Sequence, residues 1–309
     1  MNIGDESTRL ARRLGTGDAV VIGLGSMMGA GVFAALGPAA DVAGAGLLVG
    51  LGIAAIVAAC NAASSAQLAA VYPMSGGTYV YGRARLGHLW GFLAGWAFVI
   101  GKTASCAAIA LTFAAYVSPD VARPVAIGAV VALTAVNLAG IQKTARLTRV
   151  IVAIVLAALT VVVVAGLTAA PSASKLGSFT VGGAHGILQA AGLLFFAFAG
   201  YARIATLGEE VREPERTIPR AIPLALGIAV AIYAAVGVAC LLAAGPDALA
   251  TSTAPVATAV KAAGEAWALP FVRVGAAVAS LGALLALIAG IGRTSLAMAR
   301  NGDLPRFGL

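Results

Sequence analysis

The sequence predicts an all-α membrane protein of about eight transmembrane helices, on three observations. Hydrophobic residues make up 61% of the 309 positions and charged residues 10%, against roughly 25% charged in a soluble domain. The charges are bunched, leaving uncharged stretches at 19–40, 42–82, 124–142, 150–174, 221–246 and 274–292. Each is long enough to cross a hydrocarbon core about 30 Å thick, which takes about 20 helical residues. The stretches are continuously apolar rather than alternating, and lipid requires each span to satisfy its own backbone, so helices are expected and a β-barrel is excluded.

In chain order, residues 1–18 are a short polar lead. The first span, 19–40, follows Arg9, Arg12 and Arg13 as a secretory signal would, but its length and the spans after it argue for a retained helix. The second span lies within 42–82. The third, about 88–119, carries one internal charge, Lys102, and the fourth and fifth lie within 124–142 and 150–174. The sixth, about 186–208, holds Arg203 and leads into the polar loop Glu209-Glu210-Val211-Arg212-Glu213-Pro214, a gate latch or orientation device. The seventh occupies 221–246, and the mildly amphipathic stretch 247–267 is expected as a surface or re-entrant helix before the eighth, 274–292.

The formal charge of +8 would suit a nucleic-acid binder, but its distribution points elsewhere. With alternate loops assigned to alternate sides, one side receives only Arg123, Lys175, Lys261 and Arg273. Lys102 is intramembrane, and the remaining Lys and Arg share the side of both termini. That side is expected to be cytoplasmic by the positive-inside rule, with the protein in the cell membrane and no nucleic-acid partner. Cys60, Cys106 and Cys240 fall within spans and are odd in number; they read as small packing residues, and no metal or cofactor is expected.

Most of the 39 glycines are explained by close helix packing. The run Gly23-Leu24-Gly25-Ser26-Met27-Met28-Gly29-Ala30-Gly31 is different. Each glycine in a helix interior costs about 1 kcal/mol relative to alanine, so a broken helix is expected there. The break would offer N–H groups at Gly29, Ala30 and Gly31 to a carboxylate, and carbonyls around Gly25, Ser26 and Met27 to an ammonium group. A matching interruption is expected in the sixth span, at Phe195-Phe196-Ala197-Phe198-Ala199-Gly200-Tyr201. Phe195, Ala197, Phe198 and Gly200 are its candidate gate and side-chain pocket.

Lys102 lies about 20 Å along a helix from either end of its span, too far to snorkel out. The spans hold no interior carboxylate, so it is expected to rest against free carbonyls at the helix breaks and to bind or release a proton during transport. Arg203 lies about a turn from its span's end and is expected to pair with Glu209 or Glu210.

The glycine run, the loop Tyr72-Pro73-Met74-Ser75-Gly76-Gly77-Thr78-Tyr79, the segment from Phe195 to Pro214, and Met298-Ala299-Arg300-Asn301-Gly302-Asp303-Leu304-Pro305 together resemble the amino acid–polyamine–organocation superfamily, in family order and over essentially the whole chain. The resemblance implies a five-plus-five inverted repeat with helices one and six discontinuous and the substrate between them. The first repeat would be residues 19–170, and the second, 171–309, would be incomplete, with three members of five. It implies a substrate carboxylate on the amides of Gly29 to Gly31 and an amino group near the carbonyls of Met27 and Phe195. An interrupted reading frame, or a short form completed by self-association, is the expectation for the missing helices. Some family members carry a lysine in helix five where Val155 stands here, and the eighth span offers one hydroxyl, Ser280, between Arg273 and Arg293, so sodium dependence is not expected.

The expected function is therefore secondary active transport of amino acids or related amines by alternating access. The alternative is a remnant that binds ligand without moving it. A membrane enzyme would need a nucleophile–base set or a carboxylate pair, and the histidines are His88 and His185 alone. With no fixed charge near the breaks except Lys102, neutral amino acids are favoured.

Overall fold

The structure, a computed structural model, describes residues 14–72, 77–139, 145–168, 173–177, 179, 181–205 and 211–304. Arg9, Arg12, Arg13, Lys143, Glu209, Glu210 and the stretch from Pro73 to Gly76 lie outside the described residues.

Among the described residues, eight helical segments are long and apolar enough to cross a membrane. The first span comprises α1 (Thr16–Met27) and α2 (Ala30–Ala34), which continues through Ala35 into α3 (Leu36–Ala43). Gly44, at φ 56°, then allows the turn into the second span, α4 (Leu47–Val71). A short helix, α5 (Thr78–Leu86), precedes α6 (His88–Val117), and α7 (Ala122–Leu138) and α8 (Ala145–Thr168) follow. The sixth span is α9 (Gly183–Phe198), a 3-10 turn over Ala199–Tyr201, and α10 (Ala202–Ala205). The seventh is α11 (Pro214–Ala244). Two short helices, α12 (Pro246–Ala250) and α13 (Pro255–Ala262), lie between it and the eighth, α14 (Leu269–Arg300). Among the described residues the one strand-like pairing is an isolated bridge between Leu14 and Val211.

One segment adds to the sequence expectation and one differs from it. The uncharged run 42–82 is not one helix: α4 stops at Val71, and α5 forms a separate helix that carries Arg83 and Arg85 in its last turn. The stretch after α11 forms two short helices rather than one, because Pro246 and Pro255 each suit a first helical turn.

Lipid is as apolar as leucine, so helices in it associate through close packing rather than a hydrophobic drive. The α4 helix shows how. Ala54, Ala58, Ala62 and Ala66 recur every four residues on its buried face, and a Cβ added at Gly50 would stand 3.0 Å from the Cβ of Ala190 on α9. In this way α4 packs along α9 and α11, α1 along α11 and α8, and α14 along α6 and α8. The opposite surfaces carry exposed large apolar side chains such as Ile56, Leu89, Trp90, Ile127 and Leu138, as a bundle facing lipid requires. The face of the bundle that carries Leu14 and Asp303 is called the terminal face below, and the face carrying α12 and α13 the far face.

Candidate functional site

The first span breaks within its glycine run. The last bond of α1 is from Met28 N–H to Leu24 O at 2.7 Å, Gly29 leaves the helical region at φ −85°, ψ −147°, and α2 restarts at Ala30. The first N–H groups of α2 have no partner within their own helix. Gly29, Ala30 and Gly31 are all buried. The sixth span does not open in the same way. It tightens into a 3-10 turn at Ala199–Tyr201 with right-handed backbone on both sides, so its interruption is a change of pitch rather than an unwound stretch.

The glycines also have a packing role beyond weakening the helix. A Cβ on Gly31 would lie 2.5 Å from Ala197 Cα, one on Gly200 would lie 2.3 Å from Ser26 C and O, and one on Gly29 would lie 2.7 Å from Ala283 Cβ. The two interrupted spans thus meet backbone to backbone, with α14 closing the third side.

Tyr233 of α11 joins them. Its buried hydroxyl lies 2.6 Å from Met27 O and 3.1 Å from Ala197 O, and its ring packs on Phe198 with centroids 5.1 Å apart. A cavity of about 10 Å³, lined by Gly31, Val32, Leu36, Leu51, Leu194, Ala197 and Tyr233, remains beside the break. That is at the lower limit for one water molecule, so the structure is closed around the breaks.

Of the residues singled out in the sequence, Met27, Gly29, Ala30, Gly31, Ala197, Phe198 and Gly200 come together at this junction. Ser26 is half-buried and its hydroxyl donates to Ile22 O at 3.0 Å, turned back on its own helix. Phe195 is partly buried against the main core. Lys102 is half-buried on α6 with its Nζ over the Phe98 ring at 5.8 Å, and among the described residues it reaches no carboxylate. Its expected place was against free carbonyls at the helix breaks, and of these Met27 O accepts from Tyr233. One turn beyond Lys102, Cys106 packs in a cluster with Ala30 of the broken span and Phe196 of the sixth.

Polar contacts tie the elements together on both faces of the bundle. On the far face the buried Tyr116 hydroxyl donates to Phe33 O at 2.8 Å and accepts Val256 N–H at 3.2 Å, pinning the end of α2 to the start of α13. On the terminal face Arg149 pairs with Asp18, and Arg212 N–H donates to Leu14 O at 2.8 Å. On the same face the Asp303 carboxylate, 1% exposed, accepts from Tyr79 (2.7 Å), Arg83 (2.9 Å) and His88 (2.6 Å). Burial pushes that carboxyl up, but the Tyr79 and His88 hydrogen bonds and the Arg83 charge outweigh it and hold it below the ordinary carboxylate range. Burial, then the bond to Asp303, pushes the Tyr79 phenol up.

Tyr233, Tyr116 and the partners of Asp303 were not identified from sequence. The available signal was the rule that a buried tyrosine hydroxyl finds a hydrogen-bond partner, which does not say which partner.

The sequence profile of the amino acid permease family matches residues 14–308. An uncharacterized transporter of Mycobacterium tuberculosis is 64% identical over 304 residues, 98% of this chain and 69% of the relative. The branched-chain amino acid permease BcaP of Bacillus subtilis is 28% identical over 322 residues, 96% of this chain and 69% of its own. The methylthioribose transporter of the same organism is 28% identical over 323 residues, 97% of this chain and 70% of its own. These relatives are permeases and transporters, not enzymes, and like them the chain is a membrane transporter: it belongs to the amino acid permease family, within the amino acid–polyamine–organocation superfamily.

Proposed function

We propose that this protein is a secondary active permease for neutral amino acids that works by alternating access, in the cell membrane, with the terminal face cytoplasmic. The observation that carries the reading is the junction of the two interrupted spans, where Met27 O and Ala197 O converge on one tyrosine hydroxyl beside the free amides of α2. An amino acid's ammonium group would replace that hydroxyl on the carbonyls, and its carboxylate would take the amides of Gly29 to Gly31. Val32, Leu36, Leu51 and Leu194 line the adjoining cavity, and they suit an apolar side chain. The name of the Bacillus branched-chain permease is in keeping with this chemistry. Lys102, half-buried and one turn from the Cys106 cluster, is the proposed proton carrier.

The test is uptake of a panel of radiolabelled amino acids into proteoliposomes, with and without an inward proton gradient. Gradient-stimulated uptake of a neutral amino acid supports the reading. Saturable binding of the same amino acid without flux would replace it with a ligand-binding module.

A further inference from the structure

A second and larger cavity, of about 180 Å³, lies on the far face immediately outside the Tyr116 pin. It is more than ten times the volume one water molecule requires. Its wall includes Tyr116, Ser252, Thr253, Thr258, Lys261 and Arg273, and no carboxylate contributes to it. The hydroxyls are already committed: Ser252 and Thr258 bond each other at 2.7 Å, Ser252 also accepts Ala254 N–H at 3.1 Å, and Tyr116 holds Phe33 O and Val256 N–H. The two cations are not. Among the described residues neither Lys261 nor Arg273 makes an ion pair or hydrogen bond. They come from different elements, α13 and α14, yet reach the same hollow.

We propose that this cavity is a receiving site for the carboxylate of an amino acid on its way to the helix breaks, an assignment that rests on the transport reading above. Two unpaired cations in a concave, partly apolar wall focus positive potential and raise the local concentration of an oxyanion. The site also touches the closure it would serve. A carboxylate held by Lys261 and Arg273 lies against Tyr116, whose hydroxyl must let go of Phe33 or Val256 before anything passes inward. A lipid phosphate offers the same oxyanion chemistry, so the test separates the two sources.

Thr253 lines the cavity and is exposed. A T253C variant in a C60S background, reconstituted in phosphatidylcholine vesicles, is alkylated with a neutral thiol reagent. A neutral amino acid at ten times its Kd is expected to slow labelling about tenfold by occupancy alone, while the amine lacking its carboxylate leaves the rate unchanged. Adding K261Q and R273Q, both at exposed positions, is expected to abolish the protection. Equal protection by the amine, or protection that survives K261Q and R273Q, overturns the proposal. Slowing that follows phosphatidylglycerol content with no amino acid present overturns it in favour of a headgroup. Uptake measured on the same vesicles keeps the two readings apart. Protection without uptake upholds the receiving site and removes the permease reading, whereas uptake without protection removes the receiving site alone.

Discussion

Replacing Gly200 with alanine tests whether the two interrupted spans depend on backbone contact. The added Cβ would stand 2.3 Å from Ser26 C and O and 2.4 Å from Met27 N, where ordinary van der Waals contact begins at 3.4 Å. Every atom in the way is main chain, so no side chain can rotate aside, and α1 must withdraw from the sixth span by about an ångström in a close-packed interior. Overpacking of this kind costs about 1–3 kcal/mol, and the stiffer unfolded chain returns about 0.4–1 kcal/mol. A net loss of about 1–2 kcal/mol is expected, with a melting temperature lower by several degrees in detergent. Gly192, on the same span with no atom within 4 Å of an added Cβ, is the matched control. G192A should melt at or slightly above the parent temperature. If G200A melts with G192A, the backbone contact at the junction is not what holds the two spans together.

Tyr233→Phe removes the donor shared by two buried carbonyls and should destabilise the protein by about 1–3 kcal/mol. Saturating neutral amino acid should then raise the variant's melting temperature by more than it raises the parent's, since an ammonium group can now take both oxygens. Asp303→Asn keeps the shape but loses the charge facing Arg83 and His88. Because the folded carboxyl lies below its ordinary range, its stabilisation is present above the unfolded pKa and is lost as pH falls through the folded value. Melting temperature followed from neutral to acid pH should therefore show a limb in the parent that is absent from D303N. Lys102→Met should leave uptake insensitive to an inward proton gradient; an unchanged gradient response would remove the proton role.

What could be read from sequence follows from what lipid enforces. Charge is expelled from spans, so the eight apolar helices and the one charge inside the third, Lys102, are written in composition. The glycine run between Gly23 and Gly31 likewise marked the place where α1 ends. Contacts that depend on which span meets which were not legible. Gly200 stands out in the sequence as part of the sixth-span interruption, but the Ser26 main chain against it does not. Tyr233 is an aromatic in an apolar span until Met27 O is found within 2.6 Å. Local bonding also overrode pattern at the sixth span, where the aromatic run signalled an interruption but a 3-10 turn kept the backbone helical.

The Tyr116 hydroxyl has one proton and gives it to Phe33 O, while its lone pair receives Val256 N–H. One small group therefore fastens the end of α2 and the start of α13 at once, and both bonds must break before the two are fully free of it. At about 1 kcal/mol for each bond, the fastening favours the shut arrangement by about 2 kcal/mol, roughly thirtyfold in population. Under the permease reading proposed above, a molecule so biased would spend most of its time sealed on the far face rather than ajar.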